Sequence, residues 1–238
     1  MVQEDGTIIE RSRGTPQGGV VSPILANLFM HYAFDLWMAR MFPDLRWCRY
    51  ADDGLVHCRN EMEAQSVREA LQARLAECCL ELHPTKRIVY CKDDRRRGKS
   101  ETVMFDFLGY CFRPRSVLGP RSQRMFCGFT PAVSKPALNA MRATIRGFRR
   151  RTEVTLDDIA RELNPMVRAW IAYYGQYTRS ALYPLARYIN QTLAIWLKRK
   201  YKRFHHRLGR ARLFLEKIAS ENRRLFVHWQ LGDGGKLA

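Results

Sequence analysis

"RYADDGLVHC", Arg49 to Cys58, sets two carboxylates side by side within strand-like sequence. Two short apolar runs, Trp47–Tyr50 and Leu55–Cys58, flank Ala-Asp-Asp-Gly, and Asp-Gly between such runs is a hairpin signal. The reading is a β-hairpin with Asp52 and Asp53 at its buried tip. Adjacent buried carboxylates are costly unless a cation neutralises them. Mg²⁺ is the hard cation that takes carboxylate oxygens while keeping waters and substrate phosphates. Two such ions about 3.5–4 Å apart are the standard device for in-line phosphoryl transfer. A solvated turn is the plain alternative, and the motif alone leaves it open.

Working outward, "GTPQGG", Gly14 to Gly19, reads as loop. Ser22 as N-cap and Pro23 at the first helical position open a helix of four to five turns. Ile24, Leu28, Tyr32 and Leu36, with Leu25, Phe29, Ala33 and Trp37, make a wide apolar stripe expected in the core. Asn60 and Glu63 form an N-cap and capping box for the next helix, whose buried face takes Ala64, Val67, Leu71, Leu75 and Cys78. "LELHPTKRIVYC" reads as two strands about a Pro-marked turn, residues 92–101 as a charged loop, and "TVMFDFLGYCFRPR" as more strand bending at Gly109. From Ser134 onward the chain is helical and basic. Helices start at Ser134 with Pro136, at Thr155 with Asp158 (running toward Ala172), and near Pro184, with a last one over Ala211–Ser220. Leu185, Tyr188, Ile189, Thr192 and Ile195 can line the buried face of the third. The fold class is α+β, with residues 1–115 as one domain, 116–133 as a linker and 134–238 as a helical domain.

The 238 residues can bury a core, and 46% hydrophobic content excludes a disordered chain. No apolar run approaches the roughly 18 residues of a membrane span, and "MVQEDGT" does not read as a signal peptide. Seven scattered Cys show no zinc pattern and suit reduced thiols in cytoplasm. Charge is uneven. Residues 1–119 hold 17 basic and 16 acidic side chains, whereas residues 120–238 hold 24 and 7 of the total +18. A nearly neutral half joined to a strongly basic one points to a polyanion partner, above all nucleic acid.

"YADD" in a hairpin, preceded by "GTPQGGVVSPILANLF" and followed by "LHPTKRIVYC" and "FDFLGYCFRPR", resembles a reverse transcriptase palm. The wording is similar to that of the bacterial group II intron-encoded reverse transcriptase/maturase family. "NPMVRAWIAYYGQYTRSALYPLARYINQTLAIWLKRKYKR" resembles that family's maturase domain, also called thumb or domain X. The resemblance implies that Asp52 and Asp53 are the catalytic, metal-holding pair for two Mg²⁺ ions, with Tyr50 and Ala51 beside the nucleotide. It places Gln17, Gly18 and Gly19 near the templating base pair and Lys86 near primer or incoming phosphates. "FDFLGY", Phe105 to Tyr110, resembles the primer-grip hairpin. In the thumb, Arg168, Arg179, Arg187, Lys198, Arg199, Lys200, Lys202 and Arg203 interleave with Trp170, Tyr173, Tyr174, Tyr177 and Trp196. Such cations bind phosphate backbones. One or two of the aromatics are candidates to stack bases, and the rest are expected to be helix core. The partners implied are group II intron RNA, an RNA template, a DNA primer and dNTP, with no membrane, in the bacterial cytoplasm.

The family pattern also implies a third carboxylate on an earlier strand, a fingers region and, in some members, a Cys/His-rich endonuclease. Asp5 and Asp35 are poor substitutes for that carboxylate. The chain therefore reads as N-terminally truncated, with a separate fingers/palm segment as a further partner. The implied function is RNA-directed DNA synthesis together with intron-RNA binding. The alternatives are an RNA-binding splicing cofactor without polymerase activity and an inactive mobile-element remnant.

Overall fold

In a computed structural model, the chain is described over residues 19–83, 88–91, 102–119 and 124–231. It divides into two compact units, Met1–Ile88 and Val89–Ala238. The mixed helix and antiparallel-sheet architecture is the α+β class expected.

The first unit is built on a broken helix. Helix α1 (Ser22–Met30) passes into a π turn (His31–Asp35) and then α2 (Leu36–Met41). Its N-cap is Val21, one residue before the expected Ser22, with Pro23 in the first turn. In the π turn the Leu36 amide donates to the His31 carbonyl, five residues back. That longer turn shifts the helical phase, but the phase is not what exposes α1: none of its residues is buried on any face. Burial begins within the π turn, at Ala33 and Phe34, and continues at Met38 of α2. Before it the expected core residues face outward: Ile24 is 66% exposed, and Leu25, Leu28, Phe29 and Tyr32 are exposed too. The expectation of one continuous buried stripe is therefore corrected.

Strands β1 (Arg46–Tyr50) and β2 (Asp53–His57) form the hairpin. Tyr50 pairs with Asp53, so the loop is the two residues Ala51-Asp52, shorter than the four residues Ala51–Gly54 expected between the apolar runs. This register sets Trp47 opposite Val56, with the Trp47 ring meeting Phe34 edge-on at 5.4 Å between centroids. A one-residue slip would turn Trp47 away from that contact. Ala51 adopts φ 53°, the left-handed conformation usually left to glycine in such loops. Helix α3 (Glu61–Glu77) follows, capped by the Asn60 side chain, which accepts from the Glu63 amide at 2.9 Å. Glu63 closes the box one residue early, onto the Arg59 amide. Val67 and Leu75 are buried as their spacing requires. Residues 80–83 and 88–91, expected as strands, are not strand. The Tyr90 amide there donates to the Thr102 carbonyl at 3.0 Å.

The second unit opens with a three-stranded antiparallel sheet: β3 (Phe105–Phe107), β4 (Tyr110–Leu118) and β5 (Met125–Val133). The expected linker over 116–133 is thus largely strand. The physical reason is pairing, which runs from Tyr110 with Val133 to Leu118 with Met125. Four helices follow: α4 (Lys135–Arg146), α5 (Leu156–Tyr174), α6 (Tyr183–Lys200) and α7 (Leu208–Glu221). The caps are those the sequence announces. Ser134 accepts from the Ala137 amide, and Thr155 and Asp158 complete a reciprocal box. Helix α6 is the centre of the core, with Leu185, Ala186, Ile189, Leu193, Ala194, Trp196 and Leu197 all buried. The Trp196 indole donates to the Arg151 carbonyl at 2.8 Å. Asn164 ties down the C-terminal segment, donating to the Leu225 carbonyl and accepting from the Val227 amide. No helix among the described residues is long and apolar enough to cross a membrane.

Candidate functional site

The hairpin tip carries the paired carboxylates. Asp52 is exposed in the loop, and Asp53 is half-buried at the first position of β2. Burial therefore does not force a counter-ion onto Asp52, contrary to the expected buried tip. Tyr50 and Ala51 are exposed beside them, Tyr50 at 64%. Among the described residues no group of three or more His, Cys, Asp or Glu could hold a metal ion. The donor set here is two hard oxygen ligands, which fits a divalent cation completing its shell with waters and substrate phosphates.

A third carboxylate lies in the same unit but is committed elsewhere. The Arg49 guanidinium donates from Nε to Asp35 Oδ1 and from Nη2 to Asp35 Oδ2, both at 2.7 Å. Its Nη1 donates to the Ala51 carbonyl at 2.7 Å and to Asn27 Oδ1 at 3.0 Å. The Arg49 fork holds the Asp35 carboxyl below its ordinary range, against a weaker upward push from burial. Sequence spacing did not reveal this network, since its partners are 14 and 22 residues apart. Of the expected template loop only Gly19 is described, half-buried just ahead of α1. Gln17, Gly18 and Lys86 lie outside the described residues.

In the second unit the β3–β4 turn, Leu108-Gly109, has positive φ at both positions, 51° and 77°. A tyrosine cluster holds it. Tyr173 Oη donates to the Leu108 carbonyl at 3.0 Å, and Tyr110 Oη donates to the Tyr173 carbonyl. The Tyr110 ring meets those of Tyr173, Tyr174 and Tyr177 at 5.2, 5.3 and 5.7 Å. Burial, then the neighbouring hydroxyls, push the Tyr110 phenol up. Of the five interleaved aromatics only Tyr173 and Tyr177 are exposed, Tyr177 at 65%, whereas Trp196 is core.

The expected cations differ in availability. Arg168, Arg179, Arg187, Arg199, Lys202 and Arg203 are exposed. Lys200 is half-buried, its Nζ donating to the Val154 carbonyl and lying 5.2 Å from the Trp196 ring centre. It braces the helices, so its ammonium is committed within the fold, unlike the exposed cations. Arg203 lies 4.6 Å over both Phe204 and Phe214. Lys198 and Arg199 line a cavity of about 510 Å³ with His205 and His206. The two histidines were missed, although "HHR" directly after the basic run continues the same surface.

An antiparallel hairpin with paired aspartates, joined to a basic helical unit, has the makings of a nucleic-acid polymerase segment. Residues 2–112 match the family model for reverse transcriptase (RNA-dependent DNA polymerase), which sets the class. Residues 138–214 match the model for the group II intron maturase-specific domain. With both matches in tandem, the chain belongs to the group II intron reverse transcriptase/maturase family. No curated protein matches the chain.

Proposed function

We propose that the chain serves RNA-directed DNA synthesis by nucleotidyl transfer from dNTP to a DNA primer on an RNA template, and that its basic helical unit binds group II intron RNA. The observation that carries this is the tandem of a reverse transcriptase match, containing a hairpin with two carboxylates at its turn, and a maturase-specific match. Asp52 and Asp53 are the residues that would hold divalent cation, Mg²⁺ by the hardness of their oxygens. Two such ions, when bound, activate the attacking 3′ oxygen and stabilise the leaving pyrophosphate. Around them the chain's own residues position and exclude. The hairpin fixes the spacing of the carboxylates, and Tyr50 offers an exposed ring beside the incoming sugar and base. In the second unit, cations meet phosphates and the exposed Tyr173 and Tyr177 rings meet bases.

A second reading, an RNA-binding splicing cofactor without polymerase activity, is favoured by one observation: Asp35, the third carboxylate of the unit, is committed to the Arg49 guanidinium by two hydrogen bonds. Primer extension on an RNA template, with Mg²⁺ and dNTP, separates the two. Asp52→Ala should lower extension by at least about a hundredfold, the scale of losing one preorganised electrostatic contact to a transition state. It should leave intron-RNA binding unchanged. Extension untouched by Asp52→Ala refutes the metal role. RNA binding without extension in the unaltered chain selects the cofactor reading.

A further inference from the structure

We propose that Arg49 is the positioning residue of the aspartate turn: it clamps the Ala51 carbonyl to Asp35 and Asn27 and so fixes where Asp52 stands. The inference rests on the reading that Asp52 and Asp53 carry the chemistry.

Four donor contacts from one guanidinium meet three different elements. The two-point fork fixes the guanidinium plane on Asp35, the last residue of the π turn. Nη1 then reaches Asn27 on α1 and the backbone of the loop itself. The pair is mostly out of water, with side chains 11% and 18% exposed, so it is more than a solvated surface bridge. Lysine cannot reproduce it, since an ammonium has no planar fork. Across the ladder Arg49 faces Gly54, where an added Cβ would meet the Phe34 ring at 3.4 Å.

The loop requires such a clamp. Ala51 is held at φ 53°, a conformation that its Cβ disfavours. Residues persist there when surrounding contacts over-determine them, and such residues gather at active sites. Closure between the paired Tyr50 and Asp53 turns the loop, and the Arg49 Nη1 bond to the Ala51 carbonyl is the side-chain contact that adds to it. Loss of that bond frees the loop to relax toward ordinary φ, which swings the next residue, Asp52. A misplacement of about 1 Å at a reacting group can cost on the order of a hundredfold in rate. The π turn contributes by delivering Asp35, and π bulges are frequent at functional sites.

The test uses the full chain and the variants Arg49→Lys and Asp35→Asn, each alone and combined with Ala51→Gly. Backbone carbon chemical shifts at residue 51 report its φ region without any need for activity. Arg49→Lys should move Ala51 out of the left-handed region while the α3 and α6 resonances stay in place. In primer extension it should lower kcat by about ten- to a hundredfold, with KM for the primer–template changed by less than about threefold. Ala51→Gly, for which positive φ carries no penalty, should restore at least part of kcat in the Arg49→Lys background. An Ala51 that stays left-handed in Arg49→Lys overturns the proposal whatever the activity does. So does a kcat loss that Ala51→Gly does not relieve. If Ala51 moves as expected but Asp52→Ala leaves extension untouched, the clamp stands and the catalytic reading of the aspartates falls.

Discussion

His228 makes the second unit sensitive to mild acid. It sits in the turn Val227–Gln230, 3% exposed, with Nε2 2.8 Å from Asn190 Oδ1. The Trp229 indole donates to the same Asn190 atom at 2.9 Å. An indole N–H only donates, so that atom is the amide oxygen, and His228 Nε2 must also carry its proton. Nδ1 is buried without a hydrogen-bond partner. Protonating it would bury a charge with nothing to accept the new N–H. Burial accordingly drops the His228 pKa from 6.5 to about 3. The folded value lies below the unfolded one, so the unfolded chain binds the extra proton as pH falls. Stability is whole above about pH 6.5 and declines below it by up to about 1.4 kcal/mol per pH unit, until about pH 3. From pH 7.5 to 5.0 the loss from this one group integrates to about 2 kcal/mol. For a unit of this size that is about 4–8 °C in Tm. Asp35, Asp158 and Glu162 have depressed values, so they contribute above their unfolded values and lose that contribution only at lower pH, outside this window. The assay is urea unfolding at pH 7.5 and 5.0, followed by tryptophan fluorescence, for the unaltered chain and His228→Gln. Glutamine keeps a donor and cannot titrate, so its acid loss should be smaller by about 2 kcal/mol, whatever its absolute stability. Equal losses in the two proteins would refute the reasoning.

Four further variants test the second unit. Gly109→Ala should destabilise by about 1–3 kcal/mol, since φ is 77° and the added Cβ would lie 2.6 Å from Tyr174 Oη. Gly147→Ala is the control: it is helical, an added Cβ meets nothing within 4 Å, and a gain of about 0.4–1 kcal/mol should appear in the melt. Lys198→Ala should reduce the slope of log affinity for RNA against log salt by about 0.7–0.9 with little change in Tm, because Lys198 lines an open surface cavity beside Arg199. Lys200→Ala should do the reverse, lowering Tm and leaving the slope nearly unchanged, because its Nζ is bonded to Val154 and packed on Trp196.

Much of the local structure was legible because its signals are short-range. Ser134, Thr155 with Asp158, and Asn60 mark helix starts within three residues, and each caps as read. Val67 and Leu75 meet the core through simple spacing. The failures share a cause. The Asp-Gly signal named the hairpin, but the apolar runs left four residues between the strands, and pairing that continues to Tyr50 with Asp53 narrows the loop to Ala51-Asp52. The apolar stripe of α1 looked continuous because no residue in "FMHYAFD" announces a π turn. Lys200 looked like its neighbours in a basic run, and only the position of Trp196 separates it from them.

The chain by itself determined the charge imbalance, the main helix caps, the family motifs and the adjacency of Asp52 and Asp53. All of these reside in neighbouring residues, where composition and spacing act directly. The division at Ile88 and Val89, by contrast, falls well before the expected boundary at 115. Tertiary structure decided what those residues can do. It exposed Asp52, bound Asp35 to Arg49, raised Tyr177 above its cluster and sealed His228 against Asn190. These outcomes rest on contacts between segments far apart in sequence, where burial and pairing set the energy of a charge and local propensity has no say.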